Sequence, residues 1–258
     1  MTVLFTDIRD FTALSETLTP QQNFDFLNSY LRQVTPIVRA RHGFVDKYIG
    51  DAIMALFPRN AGDALQAAVE LQRQVARYNV GRNRAGYVPV EIGIGLHRGS
   101  LILGTIGEEE RMQTTVISDA VNVASRIEGL TKVFGVSLLI GGSVIDGLDV
   151  AELERHRLRN LGDVKAKGKT RSVEIFECYD NDDDELRSHK DKTAESFAAA
   201  MDEFRRGMFL TAGRIFARIA NQEPRDTVAA HFRDSCTLSA VRERGKGPWD
   251  GAERIEVP

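Results

Sequence analysis

The chain has 258 residues, 42% hydrophobic and 28% charged, close to soluble globular averages, so a sizeable core can form without disulfide or metal staples. With 34 basic and 37 acidic residues the net charge is -3, which excludes a global basic field for nucleic acid. The longest uncharged run, 133–145, has 13 residues with three glycines, short of the about 18 to 20 apolar residues of a membrane span.

The N-terminus "MTVLFTDIRD" meets an acid at Asp7 and has neither a basic leader nor an apolar h-region, so the expectation is an intracellular protein or the cytoplasmic part of a membrane-anchored one. Cys178 and Cys236 lie far apart without companions at metal-ligand spacing, and two reduced thiols are expected.

"TVLFTD" reads as a strand. Thr19-Pro20 then opens a helix with apolar residues at Phe24, Leu27, Leu31, Val34 and Val38, ended by Gly43. "FVDKYI" and "AIMALF" read as two strands around the turn pair Gly50-Asp51. Ala64, Ala67, Ala68, Leu71, Val75 and Tyr78 form a second helical stripe, and "VPVEIGIGLHRG" alternates as a strand from Val88. The order β-α-β-β-α-β is that of a ferredoxin-like sheet, whose central hairpin turns beside the end of the first strand. Asp7 and Asp51 are therefore expected to be neighbours.

"SLILGTIG" and "EEERMQTTVIS" read as a strand, a charged bend and a strand, followed by the helix "DAVNVASRIEGLTKVFG" and the strands "VSLLIG" and "SVEIFECY". The charged stretch 180–193 reads as a linker between a domain of residues 1–179 and a helical segment of 194–258. Within that segment Ala200, Gly207, Phe209, Ala212, Phe216, Ile219 and Pro224 match one tetratricopeptide-like unit, which needs another surface to cover its apolar face. The fold class expected is α+β, a ferredoxin-like core with additional strands followed by a small helical segment.

Two carboxylates at adjacent strand ends form a hard-oxygen site suited to Mg2+ or Mn2+; capping of turns is the commoner use of such residues taken singly. Asn122 and Arg126, at i and i+4, share one helix face able to grip a sugar hydroxyl and a phosphate. "VKAKGKT" brings three lysines around a glycine. His97, with no acidic partner set by sequence, reads as a core or turn histidine rather than a base.

The segments "TVLFTDIRDFT", "FVDKYIGDAIMALF", "GIGLHRGSLILGTIG" and "TTVISDAVNVASRIEGL", in this order, resemble the class III adenylate/guanylate cyclase catalytic domain over residues 2 to about 179. The resemblance implies that Asp7, Asp51 and the Ile8 carbonyl hold two divalent ions, Mg2+ or Mn2+, and that a loop through Phe11 and Thr12 cradles phosphate. It assigns purine reading to Lys47 and Thr115, ribose to Asn122 and the transferring phosphoryl group to Arg126. Lys167 would contact the phosphates, with Lys165 and Lys169 as register alternatives. Lysine with threonine marks a microbial adenylate cyclase subclass. Gly93 stands where other members carry a phosphate-binding arginine.

The function so implied is conversion of ATP to cyclic AMP and pyrophosphate in a homodimer with shared sites, driven by an upstream sensory domain, without nucleic acid or membrane contact in this chain. A guanylate cyclase or a silent nucleotide-binding module are the alternatives. A diguanylate cyclase lacks support, because "YIGDAIMAL" has no glycine-rich hairpin signature.

Overall fold

The computed structural model describes residues 1–108, 111–166, 172–242 and 249–255, which form two compact units: 1–131 with 137–155, and 132–136 with 156–258. Among the described residues no helix is long and apolar enough to cross a membrane.

The first unit opens with β1 (Thr2–Ile8), the short α1 (Phe11–Glu16) and α2 (Pro20–Ala40). Thr19 caps α2, accepting from the Gln22 amide while the Gln22 side chain accepts from the Thr19 amide; Pro20 occupies the first turn, where a missing N–H costs nothing. The buried stripe of α2 is Phe26, Tyr30, Val34 and Val38, whereas Phe24 is 64% exposed. This corrects the expected stripe in its first half: a strict i, i+4 row carries the aromatic residues inward, and Leu27 and Leu31 lie on its border.

β2 (Phe44–Ile49) and β3 (Ala52–Phe57) form the expected hairpin, with Gly50 at φ 65, a left-handed conformation that glycine adopts without a Cβ penalty. α3 (Ala61–Arg84), capped by Asn60, buries Ala64, Ala67, Ala68, Leu71 and Val75. β4 (Ile92–Arg98) begins later than the alternation from Val88 suggests. Residues ahead of it bond to α3 instead: Asn79 both donates to the Val90 carbonyl and accepts from its amide, and Arg82 donates to the Val88 carbonyl.

β5 (Ile102–Glu108) and β6 (Arg111–Ile117) form a separate two-stranded sheet, and α4 (Asp119–Phe134) follows. β7 (Leu138–Gly141) pairs parallel with β4, and two short helices, α5 (Gly142–Ile145) and α6 (Val150–Arg155), close the unit. The strand order β7-β4-β1-β3-β2, with β1 antiparallel to both β3 and β4, is that of the expected ferredoxin-like βαββαβ core plus one strand.

Val3 and Phe5 of β1 and Met54 and Leu56 of β3 pack against Ala120 and Ala124 of α4. Where α4 crosses β4 no side chain separates the backbones: a Cβ on Gly95 would lie 2.2 Å from the Glu128 nitrogen and 2.6 Å from the Ala124 carbonyl oxygen. Gly95→Ala is therefore expected to destabilise the protein by about 1 to 3 kcal/mol, since helix backbone cannot yield as a flexible side chain does. Thermal unfolding checks this, and an unchanged melting temperature would contradict the close packing.

In the second unit β8 (Leu158–Ala166) lies between β9 (Val173–Cys178), antiparallel, and β10 (Ala252–Ile255), parallel. The three long helices are α7 (Asp184–Arg205), α8 (Phe209–Gln222) and α9 (Thr227–Arg242). Residues 184–193, expected as linker, are the first turns of α7, capped by Asp183. The sequence pattern hides this because the buried positions are polar. Lys190 pairs with Glu177 at 2.6 Å and Asp182 at 2.5 Å, while Arg159 joins Glu177 to Asp226 and lies 4.3 Å over the Phe197 ring. Buried charges of this kind persist when each is paired and hydrogen-bonded.

The residues matched to a tetratricopeptide-like unit include the buried Ala200, Phe209, Ala212, Phe216 and Ile219, with Gly207 turning between α7 and α8 at φ 77. The apolar face of this helix pair is covered by α9: Phe232 stacks on Phe216 at 5.3 Å and meets Phe197 and Phe204 edge-on.

Candidate active site

The sheet order brings Asp7 and Asp51 together. Asp7 is the penultimate residue of β1 and Asp51 sits in the hairpin turn; the Ile8 amide donates to both, at 2.9 Å to Asp7 Oδ1 and 3.1 Å to Asp51 Oδ2. Desolvation, followed by the hydrogen bond to and the charge of Asp7, pushes the Asp51 carboxyl from 3.8 up to about 7. Two carboxylates crowded onto one amide form a site that gains from a cation. Their hard oxygens fit Mg2+ or Mn2+, which take carboxylate ligands while keeping water and substrate phosphate.

Beneath this pair lies Tyr30, 1% exposed, a residue the sequence reading passed over. Burial, and then the charges of Asp51 and Asp7, raise its phenol pKa, so its hydroxyl stays neutral. The available signal was the i, i+4 row of α2, on which Tyr30 is the one residue with a polar tip.

Phe11 and Thr12, expected in a loop, form the first turn of α1. Phe11 stacks on Phe26 at 6.3 Å, and Thr12 is exposed. Asp10 precedes them at φ 53, so the chain reverses sharply after β1 and starts a helix at once.

Lys47 sits on β2, with its Nζ 3.2 Å from Asp46 Oδ2. Thr115 lies on β6 opposite Gly104. Asn122 and Arg126 stand one turn apart near the start of α4, Asn122 exposed and Arg126 half-buried. Lys167 and its alternative Lys169 lie outside the described residues. Lys165, read as part of a basic turn, is instead on β8 and pairs with Asp250 at 3.6 Å.

His97 is half-buried, with Nδ1 3.2 Å from Ser143 Oγ, and burial lowers its pKa. Gly93 opposes Asp7 in the β1–β4 ladder, but the room beside it is taken. A Cβ there would stand 2.5 Å from Glu128 Oε1, 2.6 Å from Thr131 Oγ1 and 3.4 Å from the Arg9 guanidinium carbon. The position faces α4, and Arg9 already places a cation beside it.

Within the first unit Asp7 and Asp51 meet at the end of β1, Phe11 and Thr12 open α1, Lys47 lies on β2, Thr115 on β6, and Asn122 and Arg126 on α4.

The sequence pattern of the adenylate and guanylate cyclase catalytic domain matches residues 1–179. The chain is 46% identical over 182 residues to an adenylate cyclase of Anabaena cylindrica, covering 69% of this chain and 36% of that protein. It is thus similar to little more than a third of that relative. Among solved structures it resembles the adenylyl cyclase CyaB from P. aeruginosa, with a TM-score of 0.60 and 28% identity over 71% of this chain and 95% of that one. It also resembles the guanylyl cyclase Cya2, with a TM-score of 0.58 and 28% identity over 69% of this chain and 90% of that one.

Proposed function

The chain belongs to the adenylate and guanylate cyclase catalytic domain family, and from that premise we propose that it converts ATP to 3',5'-cyclic AMP and pyrophosphate. The observation that carries the chemistry is the Ile8 amide shared by Asp7 and Asp51, a crowded carboxylate pair of hard oxygens. The family uses divalent metal ions. Bound at Asp7, Asp51 and the Ile8 carbonyl, two ions of Mg2+ or Mn2+ would acidify the attacking hydroxyl and neutralise the leaving group.

In the reaction the ribose 3'-oxygen bonds to the α-phosphorus, the bond from that phosphorus to the bridging pyrophosphate oxygen breaks, and the hydroxyl proton leaves to water. Asn122 holds the ribose, and Arg126 donates to the equatorial oxygens, where charge spreads in a loose transition state. Lys167 and the first turn of α1, through Phe11 and Thr12, hold the remaining phosphates. Lys47 donates to the acceptor N1 of adenine, and Thr115 accepts from the amino group.

Family architecture puts the two groups of residues in different chains of a head-to-tail homodimer, the carboxylates of one facing the α4 residues of the other. Support comes from the large apolar side chains that this unit leaves outside: Tyr48 and Ile49 on β2 and Ile102 on β5. An upstream sensory domain fits the extra length of the Anabaena relative.

The test is product identity from purified chain supplied with ATP, GTP and Mn2+. Cyclic AMP is expected to dominate, because guanine presents a protonated N1 to the Lys47 ammonium. Dominant cyclic GMP would make the protein a guanylate cyclase, the reading favoured by its likeness to Cya2. No cyclic product from either would make it a silent nucleotide-binding module.

A further inference from the structure

The strand that carries Lys47 leaves regular pleating one residue before it. Val45 faces Ala55 and Lys47 faces Met54, adjacent residues of β3, so Asp46 is the extra residue of a β-bulge. In a regular strand consecutive side chains point to opposite faces of the sheet, which keeps residues i and i+1 apart. The bulge cancels that alternation locally, and the Asp46 and Lys47 side chains meet at 3.2 Å.

Of the two, the carboxylate is the buried partner. The Asp46 side chain is 6% exposed and that of Lys47 30%, and Asp46 Oδ2 has no hydrogen-bond partner among the described residues. A carboxylate oxygen in that state is costly to keep, and an adjacent cation is what offsets the cost. The energetic logic therefore runs from Asp46 to Lys47: a fixed anion on the strand draws a flexible ammonium toward one place.

We propose that Asp46 is a positioning residue for adenine recognition, holding the Lys47 ammonium where it donates to the purine N1. This rests on the reading of Lys47 as the base contact. An ammonium carries three N–H groups, so engagement with Asp46 still leaves it a donor toward an acceptor nitrogen. A lysine on its four-carbon stem otherwise loses rotamer freedom each time substrate binds; the ion pair spends that entropy in advance.

The experiment compares kcat/KM for ATP and for 1-deaza-ATP, in which a C–H replaces N1, in wild type, Asp46→Asn and Lys47→Ala. Using the ratio of two substrates on one sample cancels any loss of folded protein. Asp46→Asn is expected to lower kcat/KM for ATP on the order of tenfold, mainly through KM, and to leave 1-deaza-ATP within about twofold. An equal loss on both substrates, or no loss on ATP, overturns the positioning role. Lys47→Ala tests the premise separately. If it too fails to distinguish the substrates, Lys47 is not the N1 contact and the proposal falls with it; if it distinguishes them and Asp46→Asn does not, the positioning inference alone is wrong.

Discussion

Asp51→Asn is expected to abolish cyclic AMP formation, a loss of about 10^3-fold or more, and at the same time to raise the melting temperature of the metal-free protein above neutral pH. The first effect follows from removing a hard anionic ligand from the proposed metal site. The second follows from desolvation of the Asp51 carboxyl, reinforced by the hydrogen bond to and the charge of Asp7, which together hold it up at about 7 instead of 3.8. Between about pH 4 and 7 the folded state binds more protons than the unfolded one, so wild-type stability falls as pH rises through that window. An amide at position 51 does not titrate and escapes the fall. Asp51 is only half-buried, and with solvent screening the gain is on the order of 1 kcal/mol, or about 2 to 4 °C. The difference between variant and wild type should be near zero at pH 4 and largest above pH 7; a gap independent of pH would show that the Asp51 carboxyl is not held above its ordinary range. Cations compete with the same proton, so metal affinity should weaken about tenfold per pH unit below 7. Turnover retained in Asp51→Asn would remove the two-carboxylate assignment altogether.

Arg126→Ala is expected to lower kcat by about 10^2 to 10^3, the usual cost of losing one donor aimed at transition-state charge. Mixed with Asp51→Ala chains it should recover activity. If Asp51 of one chain serves the same site as Arg126 of the other, each heterodimer combines one doubly damaged site with one intact site. Random exchange of subunits then yields about a quarter of the wild-type rate from two nearly inactive proteins. Heterodimers that form, shown by differential tagging, yet stay inactive would place both residues in one chain's site and end the head-to-tail arrangement.

The carboxylate pair was legible in the sequence because it depends on topology, and the order β-α-β-β-α-β leaves little choice about where the hairpin turn goes. Periodicity served well where burial is apolar, as along α3. It failed where burial is polar: the opening turns of α7 put Lys190 and Thr193 inside, which reads as a solvated linker until Glu177 and Asp182 are seen around the lysine. It failed again at 88–90, where an alternating pattern belongs to residues whose backbone is held by Asn79, at Val90, and Arg82, at Val88, rather than by a neighbouring strand. The bulge at Asp46 escaped notice for a related reason, since a period-2 reading assumes the regularity that a bulge breaks. Tyr30 was lost because the row through Phe24 looked as good as the row through Phe26.

The close approach at Gly95 has a consequence for how two active sites in one dimer would behave. Gly95 pairs with Phe5, and Gly93 with Asp7, so a short rigid ladder runs from the carboxylates to the strand on which the Ala124–Glu128 turn of α4 rests. Arg126 lies on that turn. In a shared-site dimer, one chain's carboxylates serve one substrate and its arginine the other, so the two catalytic centres are mechanically in series. A shift of α4 on engaging nucleotide would be handed through β4 and β1 to the metal ligands of the opposite site, making cooperativity between sites a property of the packing rather than an added device.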